Sequence, residues 1–106
     1  MFEVLEVSLT VMDRIATVET KVRLRRKSLA DQLGRAAESI SLCISDGRKR
    51  AGLDRPDLYR KAAGSADELT TCIRIARARG YISPADFAHV DEQLDRVRAM
   101  LWRLTH

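Results

Sequence analysis

Apolar residues recur at helical spacing in four separate segments of this chain, which short connections separate. The segments span about residues 6–24, 28–47, 55–79 and 84–104. Apolar side chains three and four residues apart lie on one face of an α-helix, and that face needs a partner to cover it. No segment alternates apolar and polar residues as a half-buried strand does. Because short connections favour antiparallel neighbours, we expect one all-α domain over residues 1–106, an up-down-up-down four-helix bundle.

Each predicted helix carries an apolar face that we expect to point into the bundle. In the first helix two adjacent rows form this face. The residues predicted to line the interior, helix by helix, are Leu5, Leu9, Val11, Met12, Ile15, Ala16, Val18 and Val22; Leu29, Leu33, Ala36, Ala37, Ile40, Cys43 and Ile44; Leu58, Ala62, Ser65, Leu69, Ile73 and Ala76; and Phe87, Val90, Leu94, Val97, Leu101 and Leu104.

Capping residues predict where the helices begin and end. A serine or aspartate followed three residues later by an acid is typical of a helix N-terminus, because its side chain accepts a hydrogen bond from a first-turn N–H group. Three such pairs open the second, third and fourth helices: Ser28 with Asp31, Asp54 with Asp57, and Ser83 with Asp86. Pro56 and Pro84 stand in first turns, where proline is tolerated. Gly47 and Gly80 predict the ends of the second and third helices.

Residue spacing argues against a catalytic or metal centre. The two cysteines, Cys43 and Cys72, each lie within an apolar face, where a free thiol behaves as a small hydrophobic group. The two histidines, His89 and His106, lack partners at metal-ligand spacing. No phosphate loop, cofactor fingerprint or nucleophile–base pair is present. We therefore expect a non-enzymatic protein without a metal, a cofactor or a small-molecule substrate.

The hydropathy pattern argues against membrane insertion. No apolar run approaches the roughly 20 residues that span a bilayer, and the start, Met1-Phe2-Glu3, lacks the basic residues of a signal peptide. Hydrophobic residues make up 45% of the chain and charged residues 32%, which is typical of soluble, helix-rich proteins. We expect a cytoplasmic protein with no membrane partner.

Positive charge is concentrated at the two ends of the predicted second helix. Residues 21–61 hold twelve Lys and Arg against five acids, whereas residues 62–106 hold six of each. The basic residues before the helix are Lys21, Arg23, Arg25, Arg26 and Lys27, and those after it are Arg48, Lys49, Arg50 and Arg55. A helix of this length separates the two groups by roughly 30 Å, so they form two patches. Such patches bind nucleic-acid phosphates or only solubilise, and the sequence leaves both interpretations open.

Between Ser28 and Tyr81 two helix-length segments carry separated residues in an order that a known family shares. They read Ile44-Ser45-Asp46-Gly47, Leu58-Tyr59-Arg60, Gly64-Ser65, Glu68-Leu69 and Arg79-Gly80-Tyr81. On these residues, positions 28–104 resemble the four-helix-bundle family of the rRNA intervening-sequence proteins and, more distantly, the accessory variability determinant of diversity-generating retroelements. The chain departs from the family pattern where Cys43, Ser45 and Asp46 replace an Asn, an Ala and a Glu.

The resemblance implies properties that composition and spacing do not. It implies a ring-like homo-oligomer, a homopentamer in number, and RNA or a reverse transcriptase as the partner. It also assigns a structural family motif to Ser39, Asp46, Gly47, Arg60, Gly64, Ser65, Glu68, Gly80 and Tyr81. Taken as individual residues, Gly64 and Ser65 are small enough to let helices approach closely. Trp102 closes the end of the core or anchors a subunit interface, and we favour the core.

Several charged side chains have both a structural and a functional interpretation. Asp46 and Glu68 are acids on adjacent helices, and paired carboxylates can divide general acid and base roles. Because Arg60 is a ready partner, a structural ion pair is the plainer assignment. Arg74 and Arg77, with Arg79 nearby, form an exposed row or pair with Asp91, Glu92 or Asp95 of the fourth helix, and we favour the pairing.

The sequence thus predicts a non-enzymatic, oligomeric, RNA-interacting accessory or scaffold protein that uses basic patches at the ends of the bundle. The alternative is a protein–protein assembly module with no nucleic-acid role, in which the basic residues serve solubility. RNA binding that depends steeply on salt would distinguish the first from the second.

Overall fold

The structure is an all-α bundle, described by a computed structural model over residues 2–50 and 55–106. Within these ranges the helices are α1 (Glu3–Arg23), α2 (Lys27–Lys49), α3 (Arg55–Ala78) and α4 (Pro84–Thr105). The same ranges contain no strand. The predicted all-α fold is confirmed, and α1 begins three residues earlier than predicted.

Each helix packs against two neighbours. α1 lies beside α2 and α4, and α3 lies beside the same two helices, with α2 and α3 in the most extensive contact. The bundle measures 44 × 22 × 21 Å, so its two ends are well separated. One end holds the α1–α2 and α3–α4 connections, and the other holds the end of α2 and the start of α3. None of the helices described here combines the length and the apolar character that a membrane crossing needs.

The side of α1 that faces the core is lined by β-branched residues and not by the row that contains Leu9. Val11 and Ile15 are each 1% exposed, whereas Leu9 is 45% exposed and Ala16 is also exposed. Leu5 lies half-buried at the edge of the core. The prediction of Leu9 and Ala16 as interior residues was wrong, because a helix buries only the stripe between its two neighbours. Leu9 lies about 200° around the helix from Val11.

The interior face of α3 agrees with the prediction at Ala62, Leu69, Ile73 and Ala76 and differs from it at two positions. Tyr59 and Ala66 are buried, while Leu58 and Ser65 are only half-buried. The row of buried residues runs Tyr59, Ala62, Ala66, Leu69, Ile73 and Ala76, with Cys72 beside it. Spacings of three and four fit either row, so the helical period alone does not choose between them.

The predicted capping box at the start of α2 was wrong. The helix begins at Lys27, its N-cap is Arg26, and no side chain caps it. Asp31, the expected partner of Ser28, instead accepts a hydrogen bond from Arg23 Nη1 at 2.8 Å. The Asp31 carboxylate, which the sequence spacing predicted to cap α2, therefore binds the charged guanidinium of Arg23 from α1.

Gly47 does not end α2, which continues to Lys49. A Cβ atom built on Gly47 would lie 2.6 Å from Cε1 of Tyr59, closer than carbon atoms pack. Gly47 therefore makes room for the Tyr59 ring, which packs at the α2–α3 interface. The end of α2 is held from outside, since Arg55 Nε donates to the Arg50 carbonyl at 2.7 Å. Asp54, the predicted start of the third helix, lies outside the described residues.

The predicted junction between α3 and α4 is confirmed. Gly80 has φ +75°, and the Tyr81 N–H donates to the Ala76 carbonyl at 2.8 Å, the pattern of a glycine-terminated helix. The Ser83 side chain accepts a hydrogen bond from the Asp86 N–H, and the Asp86 carboxylate accepts one from the Ser83 N–H. This capping box fixes the first turn of α4.

Candidate nucleic-acid interface

The first patch, here the α1–α2 basic cluster, consists of Lys21, Arg23, Arg25, Arg26 and Lys27. Two of its members are paired with acids. Lys21 Nζ lies 2.8 Å from Asp86 Oδ2, and Arg23 lies 2.8 Å from Asp31 and 3.4 Å from Glu19. The hydrogen bond from Lys21 is the main cause that lowers the pKa of Asp86, and the hydrogen bond from Arg23 does the same for Asp31. These two cations are partly neutralised on the flanks of the bundle.

The other three members of the α1–α2 basic cluster are exposed, and none of them forms a salt bridge in the part of the chain that the structure describes. Arg25 lies over the ring of Tyr81, with its guanidinium carbon 5.3 Å from the ring centroid. A cation–π contact of this kind orients the guanidinium without cancelling its charge. Arg25, Arg26 and Lys27 therefore present positive charge to solvent at one end of the bundle.

The second patch, here the α2–α3 basic cluster, consists of Arg48, Lys49, Arg50 and Arg55. Arg55 donates to the carbonyls of Arg50 and Arg48, at 2.7 and 3.4 Å, so it completes the end of α2. Arg48 lies over the Phe2 ring, 5.5 Å from its centroid. Lys49 is exposed. The two clusters lie at opposite ends of α2, whose 23 residues span roughly 35 Å.

A surface cavity beside the α1–α2 basic cluster adds residues that sequence reasoning missed. It has a volume of about 280 Å³ and lies between the start of α2 and the end of α3. Its lining includes Arg26, Ser28 and Gln32 from the first side and Ile75, Arg79 and Tyr81 from the second. The sequence signal that could have located this cavity is Gly80. Because α3 ends just before it, Arg79 and Tyr81 lie beside the start of the antiparallel helix α2.

The sequence profile of the 23S rRNA-intervening sequence proteins matches residues 2–103. The chain belongs to this family. The match extends over α1, beyond the segment 28–104 on which the resemblance was based. No curated protein matches the chain.

A solved structure supports the fold of this intervening-sequence family member. It is a protein of unknown function from the S23 ribosomal protein family of Bacteroides thetaiotaomicron, which superposes with a TM-score of 0.88 at 17% identity. The similarity covers 96% of this chain and 97% of the other. At this identity the likeness establishes the four-helix fold alone.

Two serines of the family motif meet at the α2–α3 interface. Ser39 Oγ and Ser65 Oγ are hydrogen-bonded at 2.8 Å, and Cys43 Sγ lies 3.8 Å from the same Ser39 hydroxyl. Cys43, predicted to be buried, is half-buried, whereas Cys72 is buried as expected. Burial raises the pKa of the Cys72 thiol, and the negative charge of Glu68 raises it further.

Gly64 of the motif contributes nothing to packing within the chain. It is exposed, and a Cβ atom built on it would have no neighbour within 4 Å. The prediction that Gly64 brings helices together within the bundle was therefore wrong. A glycine in the middle of a helix lowers helix stability, so this position departs from local preference without an intrachain reason.

The predicted pairing of Arg60 was wrong. Arg60 Nη1 lies 2.9 Å from Asp57 on its own helix, and both side chains are exposed. Asp46 and Glu68 are both exposed. A neighbour three residues away in the same helix is closer to Arg60 than the acids of the motif.

Arg74 and Arg77 do not pair with the acids of α4. Arg98, from α4 itself, lies 3.0 Å from Asp91 and 3.3 Å from Asp95. Arg77 instead covers the Phe87 ring at 5.1 Å from its centroid. Arg98 thus pairs with two of the acids, and Arg14 of α1 pairs with Glu92 at 3.5 Å, while Arg74 is exposed.

Trp102 does not close the core. Its side chain is 61% exposed, and its indole stacks on the His106 ring at a centroid distance of 4.4 Å. Other large apolar side chains are exposed as well: Leu9, Leu24, Leu42, Ile75 and Leu104. Of these, Leu9 and Leu104 were predicted to be interior, and Leu104 lies at the end of α4. Among the described residues no group of three or more His, Cys, Asp or Glu side chains is placed to hold a metal ion.

Proposed function

We propose that this protein is a non-enzymatic, oligomeric accessory or scaffold protein that binds RNA through basic residues at the ends of its bundle. The observation that carries the proposal is the exposed triad Arg25, Arg26 and Lys27, none of which forms a salt bridge among residues 2–50 and 55–106. The charge of Lys27 does help to lower the pKa of Asp31, after the larger effect of Arg23. Adjacent cations that are not held in salt bridges attract phosphate groups and displace their counterions. The name of the family, 23S rRNA-intervening sequence protein, is consistent with an RNA connection.

Oligomerisation completes this proposal. Three cations give little affinity alone, but a ring of subunits, a pentamer as the family resemblance implies, repeats them around a common axis. The proposal is supported by exposed apolar residues such as Leu42, which is 64% exposed. Leu42 lies within α2, where a neighbouring subunit would remove its side chain from water.

We expect the protein to contact the phosphate backbone rather than to read bases. Sequence-tolerant binding of single strands uses stacked aromatic rings, and here Phe2 and Tyr81 are each covered by an arginine. Tyr59 is buried against Gly47. Trp102 is exposed, but its indole already stacks on the His106 ring. We therefore expect the cationic groups to make the contacts, and contacts to phosphate carry no sequence information.

A binding experiment with matched variants tests the proposal. The variant R25Q/R26Q/K27Q removes the exposed triad, whereas R35Q/K61Q/R74Q removes the same charge from exposed positions outside both clusters. Filter binding of a single-stranded RNA at low salt should be weakened strongly by the first and little by the second. Equal effects of the two variants would show only a general dependence on net charge and would contradict the proposal.

The second candidate is an assembly module whose partner is a protein, with a reverse transcriptase as the partner that the family resemblance implies. The exposure of Trp102 favours this candidate, since tryptophan is enriched at the energetic centres of interfaces. Under it, RNA would fail to bind at any salt concentration. Sedimentation analysis would then show self-association that Leu42→Glu or Trp102→Ala abolishes.

A further inference from the structure

The cavity between the start of α2 and the end of α3 is lined by two arginines and no acid. Arg26 is the N-cap of α2 and Arg79 directly follows α3, and neither has an acidic partner in the part of the chain that the structure describes. The nearest acid along α2, Asp31, is held by Arg23 at 2.8 Å. Two guanidinium groups that line one cavity repel each other, and an anion between them would relieve that repulsion.

The remaining lining supplies polar and apolar contacts in addition to the two charges. Ser28 and Gln32 provide hydroxyl and amide groups on the α2 side, and Ile75, which is 44% exposed, provides an apolar wall on the α3 side. Small-molecule sites are mainly apolar cavities with a few convergent polar groups, and their volumes begin near roughly 300 Å³. A volume of about 280 Å³ therefore fits one small ligand rather than a long segment.

We infer that this cavity binds one nucleotide unit, with its phosphate between Arg26 and Arg79 and its sugar or base against Ile75. Arginine recognises phosphate through parallel N–H donors. The sugar or the base of the nucleotide would cover the apolar side chain of Ile75. The inference deepens the proposed RNA contact and rests on it for the RNA strand as the source of the nucleotide. It adds Ser28, Gln32 and Arg79 to the residues that bind RNA.

Titration of the full-length protein with uridine monophosphate, uridine and inorganic phosphate tests the site directly. Nuclear magnetic resonance detects binding at the Gln32 side-chain amide and the Ile75 methyl groups. We expect saturable shifts of both with the monophosphate and none with uridine. Because a hydrogen bond to a charged group is lost, Arg79→Gln should weaken binding about tenfold or more. Arg74→Gln, the matched loss of charge from the last turns of α3 outside the cavity, should change it less than about twofold.

A second variant distinguishes loss of the binding site from loss of the fold. Ser28→Asp places a carboxylate in the cavity and in the first turn of α2, where a negative charge stabilises the helix. It should abolish binding of the monophosphate while the melting temperature stays the same or rises. Binding that survives Ser28→Asp would overturn the site, and so would equal effects of Arg79→Gln and Arg74→Gln. Inorganic phosphate that binds as tightly as the monophosphate would overturn the nucleotide assignment.

RNA-binding measurements on the same variants separate failure of this site from failure of the proposed function. Weaker binding of an oligoribonucleotide to Arg79→Gln than to Arg74→Gln supports the strand as the source of the nucleotide. If Arg79→Gln and Arg74→Gln bind RNA with the same affinity, the cavity is not an RNA site and the basic clusters remain as the interface. Absence of RNA binding at low salt overturns the proposed function. Monophosphate binding that still depends on Arg79 would then support the cavity as a site for a free nucleotide.

Discussion

Gly47 in α2 lies directly against the ring of Tyr59 in α3, at a position where any Cβ atom would lie 2.6 Å from Cε1 of that ring. Tyr59 is 4% exposed, so its ring has little room to move. We expect Gly47→Ala to lower the free energy of unfolding by about 1–3 kcal/mol, because overpacking at a filled interface costs more than the gain in helix propensity. Urea denaturation of the two proteins measures the difference, and an unchanged or higher stability would contradict the contact.

Gly64 provides the opposite case in α3. A Cβ atom there has no neighbour within 4 Å, so Gly64→Ala gains helix propensity without a clash. We expect the free energy of unfolding of the monomer to rise by roughly 0.5–1 kcal/mol. If a second subunit approaches this face closely, the same variant should weaken self-association. Sedimentation beside urea denaturation separates the two effects, and a less stable monomer would contradict the open surface at Gly64.

Ser8 and Ser41 form a buried hydroxyl pair between α1 and α2, with their oxygens 3.0 Å apart. Ser8 donates its proton to the Leu5 carbonyl at 2.7 Å, so Ser41 is the donor to Ser8. We expect Ser8→Ala to lower the free energy of unfolding by about 1–3 kcal/mol, because the Ser41 hydroxyl then lacks its partner. Adding Ser41→Ala should restore much of that loss. A double variant less stable than the single one would show that the pair adds nothing beyond packing.

The capping box of α4 predicts a pH dependence of stability. The hydrogen bond from Lys21, with that from the Ser83 N–H, lowers the pKa of Asp86 in the folded protein. A depressed pKa means that the ionised carboxylate contributes stability above its unfolded pKa of about 3.9 and loses it as the pH falls through the folded value. Asp86→Asn should therefore be less stable than the wild type at pH 7, with a gap that narrows toward pH 2. A gap that is constant with pH would contradict the ionic contribution.

Local signals predicted the junction between α3 and α4 but not the start of α2. Gly80, Ser83 and Asp86 act within a few residues of one another, so their roles follow from spacing. Ser28 is not the cap because α2 already begins at Lys27, and the carboxylate of Asp31 is held by Arg23 from another helix. The pattern of residues does not show that a side chain from another helix will bind an acid that a local N–H group could also bind.

The basic ends of the bundle were predictable from the sequence, but the cavity was not. Charge counting finds the clusters at both ends of α2 without a structure. Arg26 and Arg79 are 53 positions apart in the chain, and only the antiparallel packing of α2 on α3 brings them into one cavity. Which cations are neutralised also depends on packing, since the acidic partner of Lys21 comes from α4.

The salt dependence of RNA binding tests the central claim most directly. For a single strand, the logarithm of the binding constant falls with the logarithm of salt concentration by about 0.7 for each phosphate contact. Neutralising Arg25, Arg26 and Lys27 in the R25Q/R26Q/K27Q variant should therefore make that slope shallower by about 2, while R35Q/K61Q/R74Q leaves it near the wild-type value. Equal slopes for all three proteins, or no RNA binding at low salt, would contradict the account.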